Sequence, residues 1–244
     1  MNTPTTPPCP PRQPRVALVV GGGSGMGAAS AHKLREAGFE IGILTASGKG
    51  EALARELGGL AVTGSNRHTA DLQRLVDAAL ARWGRIDVLV NSAGHGPKGP
   101  LLALTDEDWI EGLQVFFLHV VRATRLVVPI MQRQGGGAIV NISSAWALEP
   151  AAMFPTSGVA RAGLAAFVHM FCEEYGRHNI RMNNVLPGWI DSLPEREERR
   201  VSVPMQRYGR AEEVGAVVAF LASEAASYIN GQNIRVDGGL MRGL

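Results

Sequence analysis

Residues 16–20 form an unbroken apolar run, Val-Ala-Leu-Val-Val, that stops at three glycines. That is the pattern of a strand buried on both faces. Comparable runs return at 40–44, 60–63, 86–90, 138–142, 180–186 and 232–236. Between them the period lengthens to that of a helix. Over 25–38, Met26, Ala29, Leu34 and Ala37 fall toward one side and Gly38 ends the run. Helical spacing recurs at 51–57, 70–83, 106–134, 157–176 and 211–223. Strands alternating with helices predict right-handed crossovers and a doubly wound parallel sheet, a three-layer α/β/α Rossmann fold. No internal repeat or linker follows Pro14, so residues 15–244 read as one domain. The Pro- and Thr-rich residues 1–14 cannot support helix or central strand and read as a disordered tail.

Composition narrows the function classes. With 45% apolar and 19% charged residues, the 244-residue chain suits an ordinary soluble globular protein. A net charge of +2 is too small to argue for nucleic acid or an anionic membrane surface as partner. The two cysteines, Cys9 and Cys172, do not make a disulfide framework and fit a reducing compartment. No secretory signal is legible, and no apolar run approaches the roughly 20 residues of a membrane span. The expectation is a cytoplasmic protein with no metal-ligand set.

The glycines after the first strand carry chemistry. Gly21-Gly22-Gly23-Ser24-Gly25-Met26-Gly27 joins strand to helix, where a dinucleotide's pyrophosphate must approach backbone amides at a positive helix terminus. A glycine-rich turn without ligand is the bland alternative. Asn91-Ser92-Ala93-Gly94 follows another strand. Ile139-Val140-Asn141-Ile142-Ser143-Ser144, Pro187-Gly188-Trp189-Ile190-Asp191-Ser192 and Val236-Asp237-Gly238-Gly239 come later in order. With these motifs the stretch from Val16 to Gly239 resembles the short-chain dehydrogenase/reductase family, with Val20 where the family has threonine.

The resemblance implies a nicotinamide cofactor. Gly21, Gly23, Ser24, Gly25, Met26 and Gly27 would cradle its pyrophosphate. Asn91, Ala93 and Gly94 would lie beside the adenosine half, and Ile142, Pro187, Gly188, Ile190 and Ser192 around the nicotinamide. The second strand ends Leu44-Thr45-Ala46-Ser47-Gly48-Lys49, without the carboxylate that binds ribose hydroxyls in NAD enzymes. Thr45, Ser47 and Lys49 could hold a 2′-phosphate, so NADP(H) is modestly preferred over NAD(H); a solvated Lys49 is the alternative. Ser65 or Asn66 occupies the place of the family's adenine-binding aspartate.

The catalytic positions depart from the family. Ser144 stands at the serine, but Ser157 and Arg161 replace the Tyr-x-x-x-Lys pair, and Phe116 replaces the relay asparagine. Arg161 keeps a cation for ribose hydroxyls yet cannot usefully deprotonate. Ser157 has too high a pKa and too short a reach for a phenol's role; it would also serve as cap of a helix opening at Gly158. Three outcomes stay open. Hydride transfer to a conjugated enone or an imine needs less acid than reduction of a simple carbonyl, with Ser144 and Arg161 stabilising an enolate. A residue outside the usual set, His95 first and His119 second, could supply the proton. Or the chain could be a catalytically silent NAD(P)-binding homologue acting as a regulatory or partner subunit.

The partner expected for the first two is a small-molecule substrate. The segment 193–208 falls at the family's substrate lid, and Trp146 and Trp189 flank the expected nicotinamide site. The family's long helices pair across a two-fold axis, which implies a homodimer or homotetramer here. Leu113, Phe117, Val121, Leu164, Phe167 and Phe171 are the expected apolar contacts.

Overall fold

The computed structural model describes residues 14–92 and 94–243. The expectation of a disordered tail therefore lies outside the described residues except at Pro14, and so does the assignment to Ala93. Seven parallel strands form one sheet in the order β3-β2-β1-β4-β5-β6-β7. They are β1 (Arg15–Val20), β2 (Phe39–Thr45), β3 (Leu60–Thr63), β4 (Val88–Asn91), β5 (Gly137–Ile142), β6 (Ile180–Pro187) and β7 (Asn233–Val236). The helices are α1 (Gly25–Glu36), α2 (Lys49–Glu56), α3 (Thr69–Trp83), α4 (Asp106–Leu113), α5 (His119–Gln134), α6 (Pro155–Tyr175), α7 (Glu197–Arg200) and α8 (Ala211–Ala222).

The continuous apolar strands are explained by two cores, one on each face of the sheet. Val19, Ile41 and Val140 face Leu34, Leu53 and Val218 of α1, α2 and α8. Leu18, Leu89 and Ile139 face Leu75, Val127 and Val168 of α3, α5 and α6. Leu18, Ile41, Leu89 and Ile139 are fully buried, each contributing roughly 1.5–3 kcal/mol from apolar surface removed from water. Between β1 and β4 the strand order reverses, and the crevice beyond their C-terminal ends is where open α/β sheets hold ligands.

Four expectations are corrected. The strand β4 begins at Val88 rather than at Ile86. The Ile86 backbone is taken by a side chain: Gln134 Oε1 accepts its N–H at 3.0 Å and Gln134 Nε2 donates to its carbonyl at 2.9 Å. The long helix is interrupted at Gln114–Leu118 by a π-helical turn that separates α4 from α5. The whole stretch Asp106–Gln134 is also long and apolar enough to cross a membrane, contrary to the sequence expectation; half of its most apolar window is buried inside the fold. Finally, α6 opens at Pro155 with Phe154 at its N-cap. Ser157 therefore lies inside the first turn and caps nothing, since Pro155 already supplies the pre-set φ of a helix start.

Candidate functional site

The loop after β1 is held by Gly21 N–H donating to the Leu44 carbonyl at 2.8 Å. Ser24 is the N-cap of α1, extended and without a side-chain cap bond, and the first turn carries no acid. Its leading amides are thus open, and the helix dipole adds a partial positive charge. Gly25 has φ +53°, and a Cβ there would lie 3.2 Å from Ser192 Cβ, inside the crevice. Open amides, no carboxylate and a clearance kept by glycine fit the pyrophosphate of a dinucleotide.

An open cavity of about 770 Å³ runs from this loop in both directions, within the usual size of small-molecule sites. Gly21, Ser24, Gly25 and Met26 form its middle. Gly23 and Gly27 stand behind it, Gly27 against the Gly21 backbone. At one end are Thr45, Lys49, Ser65 and Asn66, with Arg67, which sequence reasoning missed. Among the described residues no carboxylate lines that end. The Arg67 guanidinium pairs with Glu111 of α4; a basic residue two positions after Ser65 was the only sequence signal. Ser47 is exposed beside the cavity without lining it. At the other end are Gly94, His95 and Val115, with Gly188, Ile190 and Ser192 opposite.

Of the remaining expected residues, Asn91, Ile142 and Pro187 lie behind these walls. Ile142 and Pro187 are buried at the ends of β5 and β6, and Asn91 is buried with its amide Nδ2 donating to Asn141. Ser144 is half-buried, and its Oγ accepts the Trp146 N–H at 3.4 Å, which leaves its own proton to donate.

Arg161 is turned inward, not toward the cavity. Its Nη1 donates to the Ile142 carbonyl at 2.9 Å and its Nε to Ser157 Oγ at 3.2 Å. Its guanidinium carbon lies 4.8 Å from the centroid of the Phe116 ring. Burial lowers its pKa to about 10, so it stays charged at neutral pH. His119 is buried nearby. Desolvation first, then the charges of Arg161 and Arg122, lower its pKa to about 3. It is a neutral imidazole at pH 7 and no proton donor there, whereas His95 is exposed and lines the cavity.

Trp146 and Trp189 pack on each other at 4.5 Å and on Phe154 at 4.8 and 6.0 Å. The 193–208 segment folds onto this cluster: Arg199 lies 4.3 Å from the Trp189 ring, and Tyr208 Oη accepts the Arg196 N–H at 3.2 Å. Of the expected interface residues, Leu164 and Phe171 are buried in the chain's own core beneath α6 and cannot face a partner. Leu113 is exposed, while Phe117, Val121 and Phe167 are half-buried.

A profile of the family described as enoyl-(acyl carrier protein) reductase matches residues 21–241. The chain is 33% identical to the 3-oxoacyl-[acyl-carrier-protein] reductase FabG of Thermotoga maritima, over 93% of this chain and 98% of that protein. It is 33% identical to the human dehydrogenase/reductase SDR family member 4, over 92% and 87%. Its structure resembles that of acetoin dehydrogenase from Enterobacter cloacae, with TM-score 0.87 and 31% identity over 94% and 96% of the two chains. It also resembles YwfH, described as an NADPH-dependent reductase of bacilysin biosynthesis, with TM-score 0.88 and 27% identity over 95% and 100%.

Proposed function

The chain belongs to the short-chain dehydrogenase/reductase family and is an NAD(P)-dependent oxidoreductase of that type, and we propose that it uses NADPH to reduce a conjugated enone or an imine, with His95 as proton donor. The observation that carries this reading is the division of the basic and hydroxyl groups. His95 lines the cavity, whereas Ser157 and Arg161 are engaged with each other and with the Ile142 carbonyl. NADPH is favoured because Lys49 and Arg67 line the adenosine end and, among the described residues, no carboxylate does.

A bound nicotinamide cofactor supplies a hydride. The chain's residues then have two tasks. Ser144 Oγ, an acceptor from Trp146, keeps its proton and donates a hydrogen bond to the enone oxygen or imine nitrogen, holding the charge that develops there. The His95 imidazolium gives its N–H proton to the reduced substrate and becomes neutral. An enone suits this set because its enolate is a weaker base than the alkoxide of a simple ketone. The matched profile, named for an enoyl reductase, agrees with reduction of a conjugated double bond. Screening NADPH oxidation against ketones, enones and imines tests the reading. Enone or imine turnover should exceed ketone turnover, and His95→Gln should lower it by about a hundredfold. Faster reduction of simple ketones, or indifference to His95→Gln, would overturn it.

The inward turn of Arg161 favours a second reading, a nucleotide-binding homologue without turnover. NADPH binding with no oxidation of any substrate class in that screen would establish it. The free Cys172 supports a cytoplasmic setting, and the apolar surface of α4 a homodimer or homotetramer. Fractionation and light scattering test these two.

A further inference from the structure

His95 is an exposed loop residue, and an exposed loop residue delivers a proton in a defined direction only if its neighbours are held. The holding contacts are visible on its far side. A Cβ on Gly96 would lie 2.5 Å from Phe116 Cε2 and 3.0 Å from Cζ, so the Gly96 backbone rests on the edge of that ring. The Arg161 guanidinium covers the same ring at 4.8 Å. One residue further on, the Pro97 carbonyl accepts Thr156 Oγ1 at 2.8 Å. Thr156, Ser157 and Arg161 all belong to α6, and Phe116 to the π turn that turns its ring toward them.

Resting on the assignment of His95 as proton donor, we propose that Phe116 and Arg161 are positioning residues for it. Together they form a stack that fixes Gly96 and so aims the preceding imidazole into the cavity. The stack is rigid because each member is committed. Phe116 is 4% exposed, and Arg161 is tied to the Ile142 carbonyl at the end of β5 and to Ser157 Oγ. Ser157 then serves as the anchor of Arg161 and does not touch substrate. A lysine at 161 has one ammonium in place of a planar fork, and cannot both bond the Ile142 carbonyl and lie flat on the ring.

The test reads the His95 imidazole resonance in the full-length protein, assigned by its loss in His95→Gln, together with kcat and NADPH affinity. Phe116→Leu and Arg161→Lys should each shift that resonance and lower kcat about tenfold, while NADPH affinity changes less than about twofold because the glycine loop is remote. Gly96→Ala should do the same by pushing its methyl into the ring, and Phe116→Leu added to it should restore resonance and kcat. That suppression keeps the test open if Phe116→Leu alone folds poorly. An unmoved resonance in both single variants, or a Gly96→Ala defect that Phe116→Leu does not relieve, would overturn the proposal. If His95→Gln leaves turnover unchanged, the donor assignment fails whatever the resonance does. If His95→Gln is inactive but the resonance ignores the stack, only the positioning claim fails.

Discussion

Asn91 Nδ2 donates to Asn141 Oδ1 across 2.9 Å, and this bond is the first step of an amide ladder spanning four neighbouring strands. Asn141 Nδ2 donates to Asn184 Oδ1 at 3.0 Å, and Asn184 Nδ2 to Asn233 Oδ1 at 2.8 Å. Each pair occupies directly opposed register positions, 91 with 141, 141 with 184 and 184 with 233. The strand spacing of about 4.8 Å is what one side-chain amide can bridge. The ladder crosses the sheet from the C-terminal end of β4, through the interior of β6, to the first residue of β7.

Replacing its middle rung should therefore be costly. Asn141→Leu leaves the Asn91 donor and the Asn184 acceptor buried without partners, and should lower stability by about 3 kcal/mol. Urea unfolding measures this. A loss below about 1 kcal/mol would mean that water replaces the missing amide.

Nucleotide preference should follow the basic residues at the adenosine end. Lys49→Ala is expected to weaken NADPH about tenfold, equivalent to ~1.4 kcal/mol, and to leave NADH nearly unchanged. Glu111→Gln should tighten NADPH by releasing Arg67 from its ion pair. Calorimetry with both nucleotides checks the pair of variants; equal weakening of NADH by Lys49→Ala would remove Lys49 from a phosphate site.

His119 makes stability depend on pH. Its folded-state pKa of about 3 lies below the ordinary 6.5, so the unfolded chain binds a proton that the folded chain refuses. The neutral buried form contributes fully above pH 6.5, and that contribution is lost as pH falls from 6.5 toward 3. The slope approaches about 1.4 kcal/mol per pH unit for one proton. His119→Phe should flatten the dependence between pH 7 and 5, above the range where most carboxylates titrate. Parallel curves for variant and wild type over that range would refute the assignment.

Assembly should depend on the exposed face of α4. Ile110 is 56% and Leu113 42% exposed, next to the half-buried Phe117. Ile110→Glu with Leu113→Glu places two charges where a two-fold contact would bury them, and should yield a monomer in light scattering. An unchanged oligomer would move the interface elsewhere.

The sequence by itself determined the layered sheet, because strands buried on both faces must be apolar throughout and their crossover helices must be one-sided. It also determined the anion cradle, since open amides at a strand–helix turn are a local property of the glycine-rich stretch 21–27. Distant pairings it could not determine. The four asparagines are visible one by one, but their ladder exists only because the strands stack in the order β4-β5-β6-β7. Arg161 reads along the chain as a retained cation. Its inward direction depends on the Ile142 carbonyl, 19 residues away, and on Phe116 in a π turn that no periodicity announces. Arg67 and Glu111 meet for the same reason: an ion pair between separate loops and helices is created by packing, and packing is decided only once the whole chain has folded.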